Sequence, residues 1–460
     1  MKSKRFFAVF LLLTLLCSLL AVPCAATEDG EDSIPTMEVD AKAALLVDGD
    51  TGEVLYAKNE DEELYPASLT KIMTALLVLE AVDEGKLSLD QEVTATATAF
   101  SGLSDDGSSA GIEQGETMTV EEMLYCMLVV SANETCNILG EKVAGTVSAF
   151  VDMMNEKAQA LGCTHTHFAN ATGLQDTQHY TSAWDMYLIT KEAMSYPTFM
   201  TICDTAEHTV PATNLSGERV LHTTNYLLSN WRAIGYTYSN AHGIKTGSTS
   251  DAGHCLVSSA QEGSRSLISV VLGAEEKEVD GKTRVMSFYE TRRLFEWGFD
   301  NFSRKTILST TETVQEAPVE LSRKMNYVTL RPAEDVEALL PNNVSAEDIK
   351  REITLTNDPV LAPVTEGQVL GKITLSYDGQ VCGETDLLAA SEVPASRLLV
   401  FRYQLGQFFA KPLVKVLLVV LIAAIVLLVV WRLSNRRRRS RYGGSRRFGS
   451  SRNYRGRRRR

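Results

Sequence analysis

The sequence predicts an α+β domain, then a small all-β domain, then a membrane-spanning helix. Three observations predict this. Strand-like runs bracket a mainly helical stretch, Ala43 to Asp48 and Val54 to Ala57 at one end, Cys255 to Ala260 and Leu267 to Leu272 at the other. Helices and strands segregated in that way mark an α+β chain. From about Lys305 the pattern changes to short alternating stretches such as Tyr327 to Leu330 and Lys372 to Tyr377, the period of half-buried strands. From Val416 to Trp431 no charge interrupts an apolar run, as a helix surrounded by lipid requires.

Taken in order, residues 1–26 carry Lys2, Lys4 and Arg5, an apolar run from Phe6 to Leu20, and small residues ending at Ala26. This is the layout of a secretory signal peptide cleaved after about Ala26; an uncleaved anchor is the other reading of the same run. Residues 27–40 are polar and acidic, a flexible leader. The α+β domain follows over 41–304, opening with strand, Gly-containing turn and strand. After Pro66 apolar residues recur at helical spacing, Leu69, Ile72, Met73 and Leu76, so a helix starts near Ser68 and ends around Gly85. Residues 91–120 are polar, with a loop from Ser104 to Ser109. Val120 to Val130 reads as a buried helix running into a polar turn, Ser131-Ala132-Asn133, and Val143 to Leu161 as an amphipathic helix. Thr181 or Ser182 is placed to cap the next helix. Ile244 to Ser248 precedes the last two strand-like runs, which flank a Glu-Gly-Ser turn.

The β-rich domain is expected over 305–395, with Asp378-Gly379 as a hairpin turn. Residues 396–412 read as a juxtamembrane linker. Residues 413–431 then form the span: about 19 residues at 1.5 Å each give roughly 28 Å, close to the hydrocarbon thickness. The tail, 432–460, holds 14 arginines and no acidic residue, so of the net charge of −13 the remaining chain carries −27. Arginines directly after the span place the tail in the cytoplasm and the acidic body outside. Six cysteines remain after signal removal, at 126, 136, 163, 203, 255 and 382, without paired spacing. A body of this size needs no disulfide staples, and mostly free buried thiols are expected.

Ser68 and Lys71 lie three apart on one helical face, where a neutral amine can take the proton of an attacking hydroxyl. Ser-x-x-Lys alone arises by chance about once or twice in a chain this long. Two later fragments sharpen it, Ser131-x-Asn133 and Lys245-Thr246-Gly247, and this ordered trio is associated with penicillin-binding proteins and class A β-lactamases. Further segments agree: Thr51 to Tyr56, Tyr65 to Leu77, Phe168-x-Asn170-x-x-Gly173-Leu174, His179 to Asp185, Thr224-Asn225-x-Leu227-Leu228 and Gly243 to Gly247. Over residues 40–300 the chain resembles the low-molecular-mass D-alanyl-D-alanine carboxypeptidases, serine-type penicillin-binding proteins.

The resemblance implies a β-lactamase/transpeptidase-like fold and removal of the terminal D-Ala from peptidoglycan pentapeptide through an acyl-serine, with β-lactams as covalent inhibitors. It implies Ser68 as nucleophile, Lys71 as its base and Ser131 as proton relay. Asn133 would hold the substrate amide, Lys245 and Thr246 the terminal carboxylate, and Gly247 would let the strand approach. The backbone N–H groups of Ser68 and Ser248 would form the oxyanion hole. Neither cofactor nor metal is implied. Ser-Ala-Asn stands where Ser-Gly-Asn is commoner, and Ser248 where some relatives have His.

Two other functions fit the trio. A β-lactamase would need a deacylating Glu in a Glu-x-x-Leu-Asn context, which does not occur between Asn133 and Lys245. A non-enzymatic penicillin-binding scaffold would have no need of Ser68, Lys71 and Lys245 together. Cys163-x-His165-x-His167 matches no common zinc spacing, and His179 and His254 read as supporting residues. The arginine tail sits against the membrane, which favours lipid over nucleic acid as its neighbour.

Overall fold

The computed structural model describes residues 34–104 and 107–440. The signal peptide, the first half of the leader, Asp105-Asp106 and the tail beyond Ser440 lie outside the described residues. The described residues divide into two compact units, one running up to Arg304 and including Leu339–Val344, the other of Lys305–Ala338 and the residues from Ser345 onward.

In the first unit, β1 (Ala43–Asp48) and β2 (Val54–Lys58) form a hairpin closed by Asp48, whose side chain accepts from the Thr51 amide at 2.7 Å. Two short hairpins follow, β3 (Glu92–Thr94) with β4 (Thr117–Thr119) and β5 (Glu207–Val210) with β6 (Arg219–His222). Then come β7 (Ala241–Thr249), β8 (Gly253–Glu262) and β9 (Arg265–Ala274). The main sheet is antiparallel in the order β2-β1-β9-β8-β7, which leaves β7 at an edge. Every residue of β1 is buried. Its alternate side chains enter different cores, Leu45 and Val47 among the helices and Leu46 against Leu294, Phe295 and Phe299.

The helices are α1 (Thr70–Asp83), α2 (Val120–Val129), α3 (Asn133–Ala144), α4 (Val147–Ala160), α5 (Ala183–Ala193), α6 (Pro197–Cys203) and α7 (Met286–Asn301). Helix α1 is buried from Thr70 through Leu79, not along one flank only. It packs against α2, α3 and α5, and an all-round apolar surface suits that central position. Ile72, Met73 and Leu76 are fully buried, about 1.5–3 kcal/mol each, so its register is firmly fixed.

The residue pattern predicts one helix over 143–161 and a turn at 131–133. The structure instead starts α3 at Asn133, ends it at Gly145 (φ +84°), and restarts the chain with Thr146, whose hydroxyl accepts from the Ala149 amide at 3.1 Å. Glycine in the left-handed region followed by a hydroxyl cap is a stop and a start in adjacent residues. Of the two expected caps, Ser182 serves α5, accepting from the Asp185 amide at 3.1 Å. Thr181 pairs with Leu64 as an isolated bridge.

The second unit holds a six-stranded sheet in the order Lys350–Leu355, Val369–Tyr377, Gln380–Ala389, Tyr327–Pro332, Gln315–Glu320, Val360–Leu361. Asp378 and Gly379 both have positive φ and close its central hairpin. The expected linker is largely a helix, α8 (Arg397–Ala410). Leu398, Phe401, Leu405, Phe408 and Phe409 recur along one face of it, and all are exposed. Helix α9 (Pro412–Ser440) contains an apolar stretch over Pro412–Ser434, long enough to cross a membrane.

Candidate active site

The chain reaches Ser68 through strained backbone. Ala67 has φ +49° and opens a short 3-10 turn, Ala67–Leu69, that feeds directly into α1. Lys71, one turn later, is fully buried, and its Nζ lies 2.9 Å from Ser68 Oγ. The same Nζ donates to Asn133 Oδ1 at 2.8 Å and to the Thr172 carbonyl at 2.6 Å. A neutral amine has two protons and one lone pair. Both partners can only accept there, so they take the two protons and turn the lone pair toward the Ser68 hydroxyl. Burial pushes Lys71 below the usual lysine range, while Cys136 and Glu134 nearby pull the other way.

Asn133 stands at the first position of α3, with its amide donating to the Ser108 carbonyl at 2.8 Å. Glu134, also buried, accepts from Ser109 Oγ and the Ala110 amide, each at 2.8 Å, and so ties the 107–112 loop to the start of α3. Ser131 has φ +66°, and its buried hydroxyl has no hydrogen-bond partner among the described residues.

Strand β7 supplies the other side. Its ladder slips between His242 and Lys245, and such a bulge re-aims the side chains beyond it. Gly243, Ile244 and Lys245 are all buried. The Gly243 carbonyl accepts from Asn225 Nδ2 at 2.6 Å and from Ser258 Oγ at 2.7 Å. Lys245 Nζ donates to the Thr246 carbonyl at 2.9 Å. Burial and the neighbouring Lys71 charge push the Lys245 amine down to about 7. Thr246 Oγ1 lies 2.6 Å from Thr224 Oγ1. A Cβ on Gly247 would stand 2.8 Å from the Pro66 carbonyl and 3.1 Å from the Ser68 amide, so only glycine lets β7 lie against the Ser68 turn. Ser248 is exposed at the outer end of that contact.

A further loop, 168–181, floors the site. A Cβ on Gly173 would sit 1.8 Å from the Ala67 carbonyl. Asn170 Oδ1 accepts from the Thr172 amide at 3.1 Å, Thr172 Oγ1 at 2.9 Å and the Gly173 amide at 2.8 Å. His179 Nδ1 accepts from the Ala169 amide at 3.1 Å, so its Nε2 carries the proton donated to Thr70 Oγ1 at 2.8 Å. Thr70 in turn donates to the Ala67 carbonyl at 2.9 Å. Burial pushes His179 down to about 4, consistent with a neutral ring. Cys136, fully buried one turn beyond Asn133, has its thiol pushed up to about 11.

The three motifs thus meet around one buried amine, with Ser68, Lys71 and Asn133 in direct contact and Lys245 near enough to feel the Lys71 charge. The roles of the Thr172 carbonyl, Glu134 and the His179–Thr70 relay were missed from sequence. Asn170, Gly173 and Thr224 stand out there only within the segments of the resemblance, and His179 also as a supporting residue. His165 and His167 make separate contacts, with Glu63 at 3.6 Å and the Gln178 carbonyl at 2.5 Å.

Comparison with known proteins gives consistent matches. The family described as D-alanyl-D-alanine carboxypeptidase matches residues 28–276, and the one described as penicillin-binding protein 5, C-terminal domain, matches residues 302–395. The D-alanyl-D-alanine carboxypeptidase DacF of Bacillus subtilis is 33% identical over 395 residues, covering 85% of this chain and 96% of that one. DacC of Escherichia coli is 32% identical, covering 79% and 86%. Among solved structures, penicillin binding protein 5 from Haemophilus influenzae superposes with a TM-score of 0.60 at 29% identity, covering 79% of this chain and 100% of that one.

Proposed function

The chain belongs to the D-alanyl-D-alanine carboxypeptidase family, and on that premise we propose that Ser68 is the nucleophile of its reaction. It is a serine-type D-Ala-D-Ala carboxypeptidase acting on peptidoglycan stem peptides, with a penicillin-binding fold. The observation that carries the residue assignment is the set of three contacts at Lys71 Nζ, which leaves its lone pair facing Ser68 Oγ.

Ser68 attacks the carbonyl of the penultimate D-Ala, and its proton passes to Lys71. The Ser68–C bond forms as the carbonyl oxygen takes up negative charge against the amides of Ser68 and Ser248. Ser131, whose hydroxyl has no partner among the described residues, carries a proton from the Lys71 side to the leaving amine, and the C–N bond breaks with release of D-Ala. Asn133 orients the substrate amide while holding Lys71. Lys245 and Thr246 bind the terminal carboxylate, and that anion keeps the pair's shared proton on Lys245, which leaves Lys71 neutral. Water then hydrolyses the acyl-enzyme. A β-lactam enters by the same attack and stalls as the adduct.

The domain limits given by the sequence, 41–304 for catalysis and 305–395 for the β-rich domain, are part of this proposal. So is the topology: a signal peptide removed after about Ala26, α9 spanning the membrane, the catalytic domain outside and the arginine tail in the cytoplasm. The test is mass spectrometry after incubation with benzylpenicillin, together with release of free D-Ala from diacetyl-Lys-D-Ala-D-Ala. One adduct on Ser68, and neither adduct nor D-Ala from a folded S68A variant, is the expected result. An adduct elsewhere sinks the assignment.

A further inference from the structure

Lys71 and Lys245 are both fully buried, and a buried cleft does not hold charge without a counter-ion. The reaction steps above name none. The described groups that act on the two amines are few. Besides burial, Cys136 and Glu134 act on Lys71, while Lys71, Cys203 and Cys136 act on Lys245. Near neutral pH the thiols carry no charge, because burial pushes Cys136 up to about 11 and pushes Cys203 up as well. Burial also keeps the His179 ring, which feels Lys71, neutral. Glu134 is left as the anion.

The backbone places it for that task. Glu134 is the second residue of α3, where helix amides favour a negative charge, and it is 3% exposed. Its Oε1 accepts from Ser109 Oγ and the Ala110 amide at 2.8 Å each, so protein donors stand in for water. On the α2 side, burial and the Glu134 charge push the Cys126 thiol up to about 12. Arg219, which acts on that thiol from β6, is paired with Glu116 at 2.7 Å.

The loop held by Glu134 lies against Asn133. The Ser108 carbonyl takes the Asn133 amide at 2.8 Å, and a Cβ on Gly107 would stand 2.6 Å from Asn133 Nδ2. Asn133 Oδ1 in turn accepts from Lys71 Nζ at 2.8 Å. Carboxylate, loop, amide and amine form one connected set of contacts.

We propose that Glu134 is a positioning residue of the reaction: it seats the 107–112 loop against Asn133 and is the counter-charge that keeps one proton, and only one, on the Lys71–Lys245 pair. The inference rests on the serine carboxypeptidase assignment above. One carboxylate against one protonated amine leaves the cleft neutral. A second proton makes it positive and takes the lone pair of Lys71, whereas loss of both makes it negative and leaves the substrate carboxylate without a partner. Glu134 thereby sets where on the pH scale the enzyme works.

The test follows the second-order rate of acylation by benzylpenicillin against pH on the full-length protein and its E134Q and E134D variants. Glutamine keeps an oxygen for Ser109 and Ala110 but has no charge. Both amines then shed their protons more readily, so both limbs of the E134Q bell should move to lower pH by roughly one unit. Aspartate keeps the charge but is one methylene short of the loop, so E134D should lower the bell by about 10- to 100-fold with its limbs in place. An E134Q bell that stays put or moves to higher pH overturns the counter-charge. Limbs of E134D that move down by a similar amount overturn it as well, whether or not E134Q folds, and a folded E134D with the wild-type rate overturns the positioning. A wild type that is not acylated on Ser68 at any pH overturns the reaction itself, and the role of Glu134 falls with it.

Discussion

Lys71 and Lys245 share one buried cleft, and the repulsion between their charges is mutual. When both amines are protonated Lys71 cannot act as base, so kcat/KM falls on the acid side. When both are neutral the carboxylate loses its partner, so kcat/KM falls again at alkaline pH. Removing the Lys245 charge lets Lys71 hold its proton more tightly, and the acid limb of a K245Q variant should move to higher pH. A shift to lower pH would contradict the pairing. The same residue opposes stability. Its folded value of about 7 lies below the unfolded value of about 10.4. Between those values the unfolded chain binds a proton that the native state has released, so this group's contribution to stability rises with pH across that window. At and below neutral pH the buried charge is a cost. A K245M variant should therefore gain roughly 1–3 kcal/mol and unfold a few degrees higher while losing peptidase activity, as thermal denaturation would show.

Among the elements, the 168–181 loop has the most to lose from a single change. Asn170 collects three donors with one oxygen, and through them it fixes the Thr172 carbonyl that orients Lys71. An N170A variant should still fold, because its core contacts are untouched, yet acylate with benzylpenicillin about 10- to 100-fold more slowly. An unchanged rate would show that the carbonyl is held by other means. The elements were legible in sequence where periodicity ran uninterrupted, as in the start of α1, the β1–β2 hairpin and the Asp378-Gly379 turn. They were misread where two helices share a short border, since Gly145-Thr146 looks like an ordinary interior pair until the cap bonds are seen. The site was legible as three motifs because they are local in the chain. The backbone carbonyl of Thr172 and the buried Glu134 were not, because the first meets Lys71 across 101 residues of chain and the second acts by holding the Ser109–Ala110 loop.

For the whole molecule, the two units and the terminal helices separate chemistry from attachment. A chain ending at Ser396 lacks α8 and α9, and it should stay in the supernatant on ultracentrifugation with kcat/KM within about twofold of the full protein on a soluble peptide. Sedimentation with membranes would mean that another surface holds the protein there. The length of α8 was hidden because its own Arg397, Arg402, Gln404 and Gln407 resemble a linker's composition, although its Leu and Phe spacing is helical. The thiols have a consequence of another kind. Among the described residues Cys126, Cys136, Cys163, Cys203 and Cys255 are free thiols, and burial pushes all five upward. The cleft therefore offers hard oxygen and nitrogen donors and no sulfur anion. Strained acyl rings and boron acids will find a partner in it, whereas soft Michael acceptors will pass by a cysteine one helical turn from the reacting groups and leave it untouched.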